Sequence, residues 1–284
     1  METDPRRRLR SLILWFVLAV AATNDVVASD FSIFGRHAID AAPEALAGFE
    51  GAEIRILRRD AQGLVAEVRV PDGVKINARY ADYTTEIFVL EGRLRLAHQT
   101  QQESLAQYDL AKHDYAHIPS LVRVASLQAT AASRLLVFFD PARSTDGSAL
   151  SVVRTTASDW TAGIVSARDT GIALKLQVRD LYQVPQTGQR TWLLRAGADL
   201  TLPWERHRTI EEGYLISGDY RLFECLEGRE QRFDYRAGGY FYRAPGIVHG
   251  GPSSGSSDEI VMLLRTPDKL TVEFLPFCAT PTNP

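Results

Sequence analysis

An internal repeat limits this chain to a duplicated architecture. Glu86-Ile-Phe-Val-Leu-Glu-Gly92 is matched 126 positions later by Glu212-Gly-Tyr-Leu-Ile-Ser-Gly218. Without a gap, Arg95 and Leu96 fall on Arg221 and Leu222, Arg69 on Arg195, Tyr115 on Phe241 and Pro119 on Pro245. Matches at one offset, spread over about 50 residues, mark duplication of a whole unit. The length of 284 residues accommodates two such units.

The unit reads as all-β. Leu64 to Val70 is a β-branched run stopped by Pro71-Asp72-Gly73, and Thr191 to Arg195 is its counterpart. Glu86 to Leu96 and Gly213 to Phe223 each read as two strands folded at a glycine. Arg134 to Phe139 and Glu259 to Leu264 are buried-type strand runs. Short strands with Gly and Pro turns at this spacing predict a sandwich or small barrel. The polar stretch from Ser144 to Ser158 reads as a connection between units.

The formal charge is only −3 and the pI about 6.1, so no strongly basic surface is available and nucleic acid is not an expected partner. Two cysteines, Cys225 and Cys278, exclude a disulfide framework and a four-thiolate zinc site. A single bridge between them stays open.

The N-terminus reads as a signal peptide over residues 1–28. Arg6, Arg7, Arg8 and Arg10 precede an apolar run from Leu12 to Ala22, which is short for a membrane span. Cleavage is expected after Ala28, with Ala22 as the rival position, and an uncleaved anchor is the alternative. The expected location is the periplasm or the extracellular space, free of the membrane after cleavage.

The residues that carry chemistry lie in the second unit. Glu205-Arg-His207-Arg-Thr-Ile-Glu211 runs on to Gly218, and Gly238-Gly-Tyr-Phe-Tyr-Arg-Ala244-Pro-Gly246-Ile-Val-His249 follows. This stretch resembles the two motifs of a cupin. The spacings from His207 to Glu211 and from Glu211 to Gly218 match the first motif, and Gly246 and His249 match the second. Glu205 stands where the family has the first His of a His-x-His pair, and Ala244 where it has a proline. The resemblance implies two tandem cupin domains, each a jelly roll of the RmlC-like kind, over 49–143 and 166–278, joined by a linker at 144–165. Trp204-Glu-Arg-His and Tyr-Phe-Tyr-Arg-Ala-Pro-Gly-Ile-Val-His-Gly-Gly-Pro are most similar to ChrR-like cupins and related exported cupins.

The resemblance further implies one mononuclear divalent-metal site, held by His207, Glu211 and His249. Residues two apart on a strand point the same way, so Glu205 either joins the metal or serves as an acid/base or a partner of Arg206 or Arg208. A carboxylate-rich set favours Fe(II) or Mn(II), with Zn or Ni as alternatives. Trp204, Tyr214, Tyr240 and Tyr242 are the expected substrate-binding residues, and Trp192, Leu194 and Phe223 further candidates for the cavity wall. The implied activity is a dioxygenase-like oxidoreductase on a small organic molecule. The alternatives are a non-catalytic ligand-binding or sensory cupin and a metal-free structural one. No catalytic residue is assigned. Dimerisation through sheet edges, common among cupins, is left open. In the first unit the offset puts Arg79, Ala81, Thr85 and Arg123 at the ligand positions, so that unit is expected to hold no metal. His98, His113 and His117 read as surface or satisfied histidines.

Overall fold

The computed structural model describes residues 33–76, 83–99, 104–142, 149–163, 176–198 and 200–278. The expected signal peptide lies outside them, as do Arg79 and Ala81. Among the described residues no helix is long and apolar enough to cross a membrane.

The first ten strands are β1 (Ile33–His37), β2 (Pro43–Glu44), β3 (Glu53–Asp60), β4 (Gly63–Val70), β5 (Lys75–Ile76), β6 (Tyr83–Gln99), β7 (Leu105–Ala111), β8 (Tyr115–Ile118), β9 (Val124–Pro141) and β10 (Ser151–Val153). Then come β11 (Thr161–Gly163), β12 (Leu176–Gln183), β13 (Arg190–Ala196), β14 (Trp204–His207), β15 (Glu211–Ser217) and β16 (Asp219–Leu226). The last five are β17 (Arg229–Arg236), β18 (Gly239–Arg243), β19 (Val248–Gly255), β20 (Ile260–Thr266) and β21 (Val272–Leu275). The described chain is all-β, as the repeat and the turn chemistry predict, and forms the tandem jelly rolls that the resemblance implies.

One sheet runs β10-β8-β6-β9-β4-β3-β2, with β7 added to β6 and β5 to β9. The others run β1-β18-β15-β20-β13-β12-β11 and β17-β16-β19-β14-β21. These two close on each other, and their inner residues, Trp192, Leu215, Ile260 and Met262 from one and Tyr220, Leu222 and Tyr235 from the other, share one core. The first barrel is filled with aliphatic side chains, among them Ile54, Ile56, Val68, Ile87, Val89, Leu94 and Leu96.

The strand registers locate the repeat more closely than the sequence does. Gly92 and Gly218 both bend the chain with φ near 83°, and the offset of 126 holds on β6 and β15. On the next strand it slips by one. Glu86 lies opposite His117 and Phe88 opposite Tyr115, whereas Glu212 lies opposite Tyr242 and Tyr214 opposite Tyr240. Tyr115 is therefore the counterpart of Tyr240 and not of Phe241. Its hydroxyl donates to Glu86 at 2.7 Å, as that of Tyr240 donates to Glu212 at 2.6 Å. A one-residue slip exchanges the two faces of a strand, so Phe241 and Arg243 point into the second barrel. The same registers give Val124, not Arg123, as the counterpart of His249.

One strand crosses from the first unit to the second. β1 precedes the first barrel but pairs with β18 of the second. β10, in the stretch expected to be a linker, pairs with β8 of the first, and β11 joins the second barrel's sheet. Between the barrels, Leu57, Val65, Phe88, Tyr115, Leu193, Tyr214, Tyr240 and Leu263 form a common core. A buried ionic network runs through it. Arg265 donates to Glu86 at 2.8 Å, to Glu212 at 2.5 Å and to Asp140, and its guanidinium lies 4.1 Å over the Phe138 ring. Burial alone would raise the pKa of Glu86, but the charges of Arg265 and His117 hold it below the ordinary carboxylate value. His117 is buried and stacked 3.7 Å from Tyr182, and His98 stacks on Tyr108.

Cys225 and Cys278 form a disulfide, which ties the segment after β21 to β16 across 53 residues of sequence. Reducing it, or replacing both by Ser, is expected to lower stability by about 2–4 kcal/mol, because the open chain regains loop entropy when unfolded. A urea titration with and without reductant measures this; coincident curves would show that the bridge contributes nothing.

Candidate metal centre

Alternation on β14 sends Glu205 and His207 to the same face, into the second barrel, and leaves Trp204 on the other. Glu205 lies directly opposite His249 of β19. Glu211 opens β15 beside them. A positive φ of 86° at Gly246, with Ile247 following, turns the chain so that His249 re-enters the barrel. Ligand atoms of Glu205, His207 and His249 lie within 4.8 Å of one another. His249 Nε2 is 3.5 Å from Glu205 Oε1 and 3.6 Å from Glu211 Oε2, and His207 Nε2 is 3.7 Å from Glu211 Oε2. Donors about 2.1 Å from one ion in a tetrahedral set stand about 3.4 Å apart, so these separations suit a shared centre.

The two imidazoles are held in one tautomer. His207 Nδ1 faces the carbonyl of Thr271 at 3.2 Å, and His249 Nδ1 that of Ile247 at 3.1 Å. Each Nδ1 thus carries the proton and each Nε2 presents its lone pair to the centre. His207 Nε2 is buried and accepts no hydrogen bond among the described residues. Such an atom costs free energy unless something binds it, and a cation does so. The residues present therefore fit a divalent metal.

Electrostatics prepare the set for a cation. Burial, reinforced by the nearby charge of Arg243 and only partly offset by Glu211, puts His249 well below its usual pKa, so it is neutral at pH 7. Burial would raise Glu211, yet His207 and Arg243 overcome it and bring the carboxyl down to about 2. Burial pushes Glu205 up to about 7, against the pull of His207.

Two residues that sequence reasoning missed complete the site. Arg243 is 3% exposed and donates from Nη1 to Glu211 at 2.5 Å and from Nε to Glu224 at 2.7 Å. Glu224 is fully buried, and burial pushes its carboxyl up to about 7 against Arg243. Alternation inward from Phe241 was the available signal for Arg243. Its counterpart in the first barrel is Ile118, that of Glu211 is Thr85 and that of Glu224 is His98, so the first barrel repeats none of this chemistry.

Above the centre opens a cavity of about 350 Å3. Its wall is mainly aliphatic, with Leu194, Leu200, Leu202, Met262 and Leu270, and carries Trp192, Tyr220 and Phe241. Of the aromatic residues expected to bind substrate, none lines it. Tyr214 and Tyr240 alternate with cavity-facing neighbours and point into the core between the barrels, where Tyr214 donates to Glu67 at 2.6 Å. Tyr242 lies under Arg58, 4.9 Å from its guanidinium. Trp204 packs on Cys225 and Val248. Phe223 belongs to that same cluster, whereas Trp192 and Leu194 do face the cavity.

No protein-family model and no curated protein matches the chain. Solved structures do. An oxalate decarboxylase from Lactobacillus farciminis, in complex with formate, aligns with a TM-score of 0.62 at 11% identity over 85% of this chain and 88% of that one. A variant of the Bacillus subtilis oxalate decarboxylase aligns with a TM-score of 0.58 at 15% identity over 85% and 79%. A further structure of that enzyme, in work on its Mn(II) centres, gives 0.59 at 14% over the same shares. These enzymes are bicupins. The chain has the bicupin fold. Within that fold the candidate centre lies in the second barrel, where the cupin motifs were read. A closer kinship with ChrR-like cupins is not among these findings.

Proposed function

We propose that this bicupin is a metal-dependent enzyme acting on a small organic molecule in the second barrel. The carrying observation is the convergence of two histidine Nε2 atoms and two carboxylates, with one Nε2 buried and unbonded among the described residues, at the base of an apolar cavity. A divalent ion held there would act as a Lewis acid with open positions for an oxygen ligand. His207, His249, Glu205 and Glu211 would hold it. The carboxylate-rich set favours Fe(II) or Mn(II) over Zn or Ni, and Mn(II) is the ion of the Bacillus subtilis oxalate decarboxylase.

The chain's own residues supply the rest. Arg243 fixes the Glu211 carboxylate from behind and offsets part of its charge. The aliphatic wall excludes water and takes up apolar substrate surface. Oxalate, a dianion without an apolar part, is a poor match for such a wall. A dioxygenase-like oxidation of a compound with an apolar body suits it better. The disulfide supports export to the periplasm or beyond, since such bonds persist in oxidising compartments.

Elemental analysis of the purified protein is expected to give one divalent ion per chain, and His207→Ala to empty the site. Oxygen uptake with a panel of diketones and phenolic ketones is expected to require that ion. Bound metal with ligand-induced thermal stabilisation but no turnover would favour the non-catalytic binding module. Metal-free protein from its native compartment would overturn the reading.

A further inference from the structure

We propose that the ligand of this cavity is an organic acid whose anionic group is received by Arg190. The inference rests on the metal-site reading above for the ligand's other end. Arg190, Trp192 and Leu194 alternate along β13 and all three face the cavity. Arg190 lies opposite Thr266 on β20, and Glu212 opposite Arg265, so Glu211 falls in the same row as Arg190, two strands away. At a strand spacing of about 4.8 Å, that row places the cation about 10 Å from the metal-binding carboxylate.

The guanidinium is held in place but not used up. Asp180, half exposed outside the cavity lining, takes its Nε at 2.5 Å. The Trp192 ring lies beneath it, 4.9 Å from ring centroid to guanidinium carbon. Among the described residues nothing hydrogen-bonds Nη1 or Nη2. The other guanidinium lining the cavity, that of Arg243, is committed to Glu211 and Glu224. Arg190 therefore offers a pre-positioned fork, the geometry that pairs with a carboxylate. Trp192, Leu264 and Gly213 form the row beneath. That row suits an apolar body bridging the two ends.

The test uses a probe with a metal-binding end and a distal acid, suberic acid monohydroxamate, against its methyl ester, on Mn(II)-loaded protein by calorimetry. The acid is expected to bind at least tenfold more tightly than the ester. Arg190→Gln is expected to erase that preference while leaving ester affinity and metal content unchanged, and Arg190→Lys to retain part of it. Octanoate against octanamide on metal-free protein reads the same contrast without the metal. An acid preference that survives Arg190→Gln in both settings, or its absence from the unaltered protein, would overturn the proposal. Ester binding that does not depend on metal would instead count against the metal-site reading and leave the octanoate arm to decide on Arg190.

Discussion

Replacing Arg265 by Met is expected to destabilise the protein by about 3–5 kcal/mol at pH 7. Arg265 is the cation shared by Glu86, Glu212 and Asp140 in the core between the barrels, and its own exposure is 6%. Met keeps most of the stem's packing on Phe138, so the loss reports the charge. Without Arg265 the buried Glu86 loses the partner that lowers its pKa, and desolvation then raises it. A group with a raised folded-state pKa contributes stability at low pH and loses it as pH rises. The deficit of the variant is thus expected to shrink below neutral pH, opposite to the unaltered protein, in which Glu86 stabilises at neutral pH and ceases to do so in acid. Urea unfolding at several pH values measures it. Adding Glu212→Gln to the variant is expected to restore part of the loss. A deficit under 1 kcal/mol would mean that the network is a passive filler of the interface.

His249→Ala is expected to weaken divalent-metal binding by at least about 100-fold. Removal of a partner that merely orients a metal ligand costs about 10–100-fold, and His249 is a donor itself. The unaltered protein is expected to bind metal more weakly as pH falls below 7. His249 is neutral and Glu211 ionised throughout that range, while Glu205, at about 7, must release a proton to bind. Affinity should fall about tenfold per pH unit there, and Glu205→Gln should flatten the dependence. Competition with a chromophoric chelator measures both. Stoichiometric metal in His249→Ala would show that these side chains do not form the centre. Replacing Val124, its counterpart in the first barrel, should leave metal content unchanged.

Much of the architecture was legible because a duplicated strand pattern repeats its turn glycines. Gly92 and Gly218 require the same left-handed backbone, and their spacing fixed the correspondence of β6 with β15. The convergence of His207, Glu211 and His249 was legible because they lie at spacings that a barrel brings together. The aromatic lining was not. One residue fewer separates Tyr214 from Tyr240 than Phe88 from Tyr115, and a gapless offset cannot see such a slip. It turned Tyr240 and Tyr242 outward and Arg243 inward. Arg243 and Glu224 were missed because a sequence pattern treats charged residues as surface. Only their mutual neutralisation inside the barrel makes their burial affordable.

The crossing of β1 also orders events in time. His37 bonds to the carbonyl of Ala237, 200 residues further on. At translation rates of about 5–20 residues per second, the first strand waits about 10–40 s for the strand that receives it. The first barrel, by contrast, needs only β10, which is synthesised directly after it. Assembly is therefore sequential, and β1 docks only after the whole first barrel has been made.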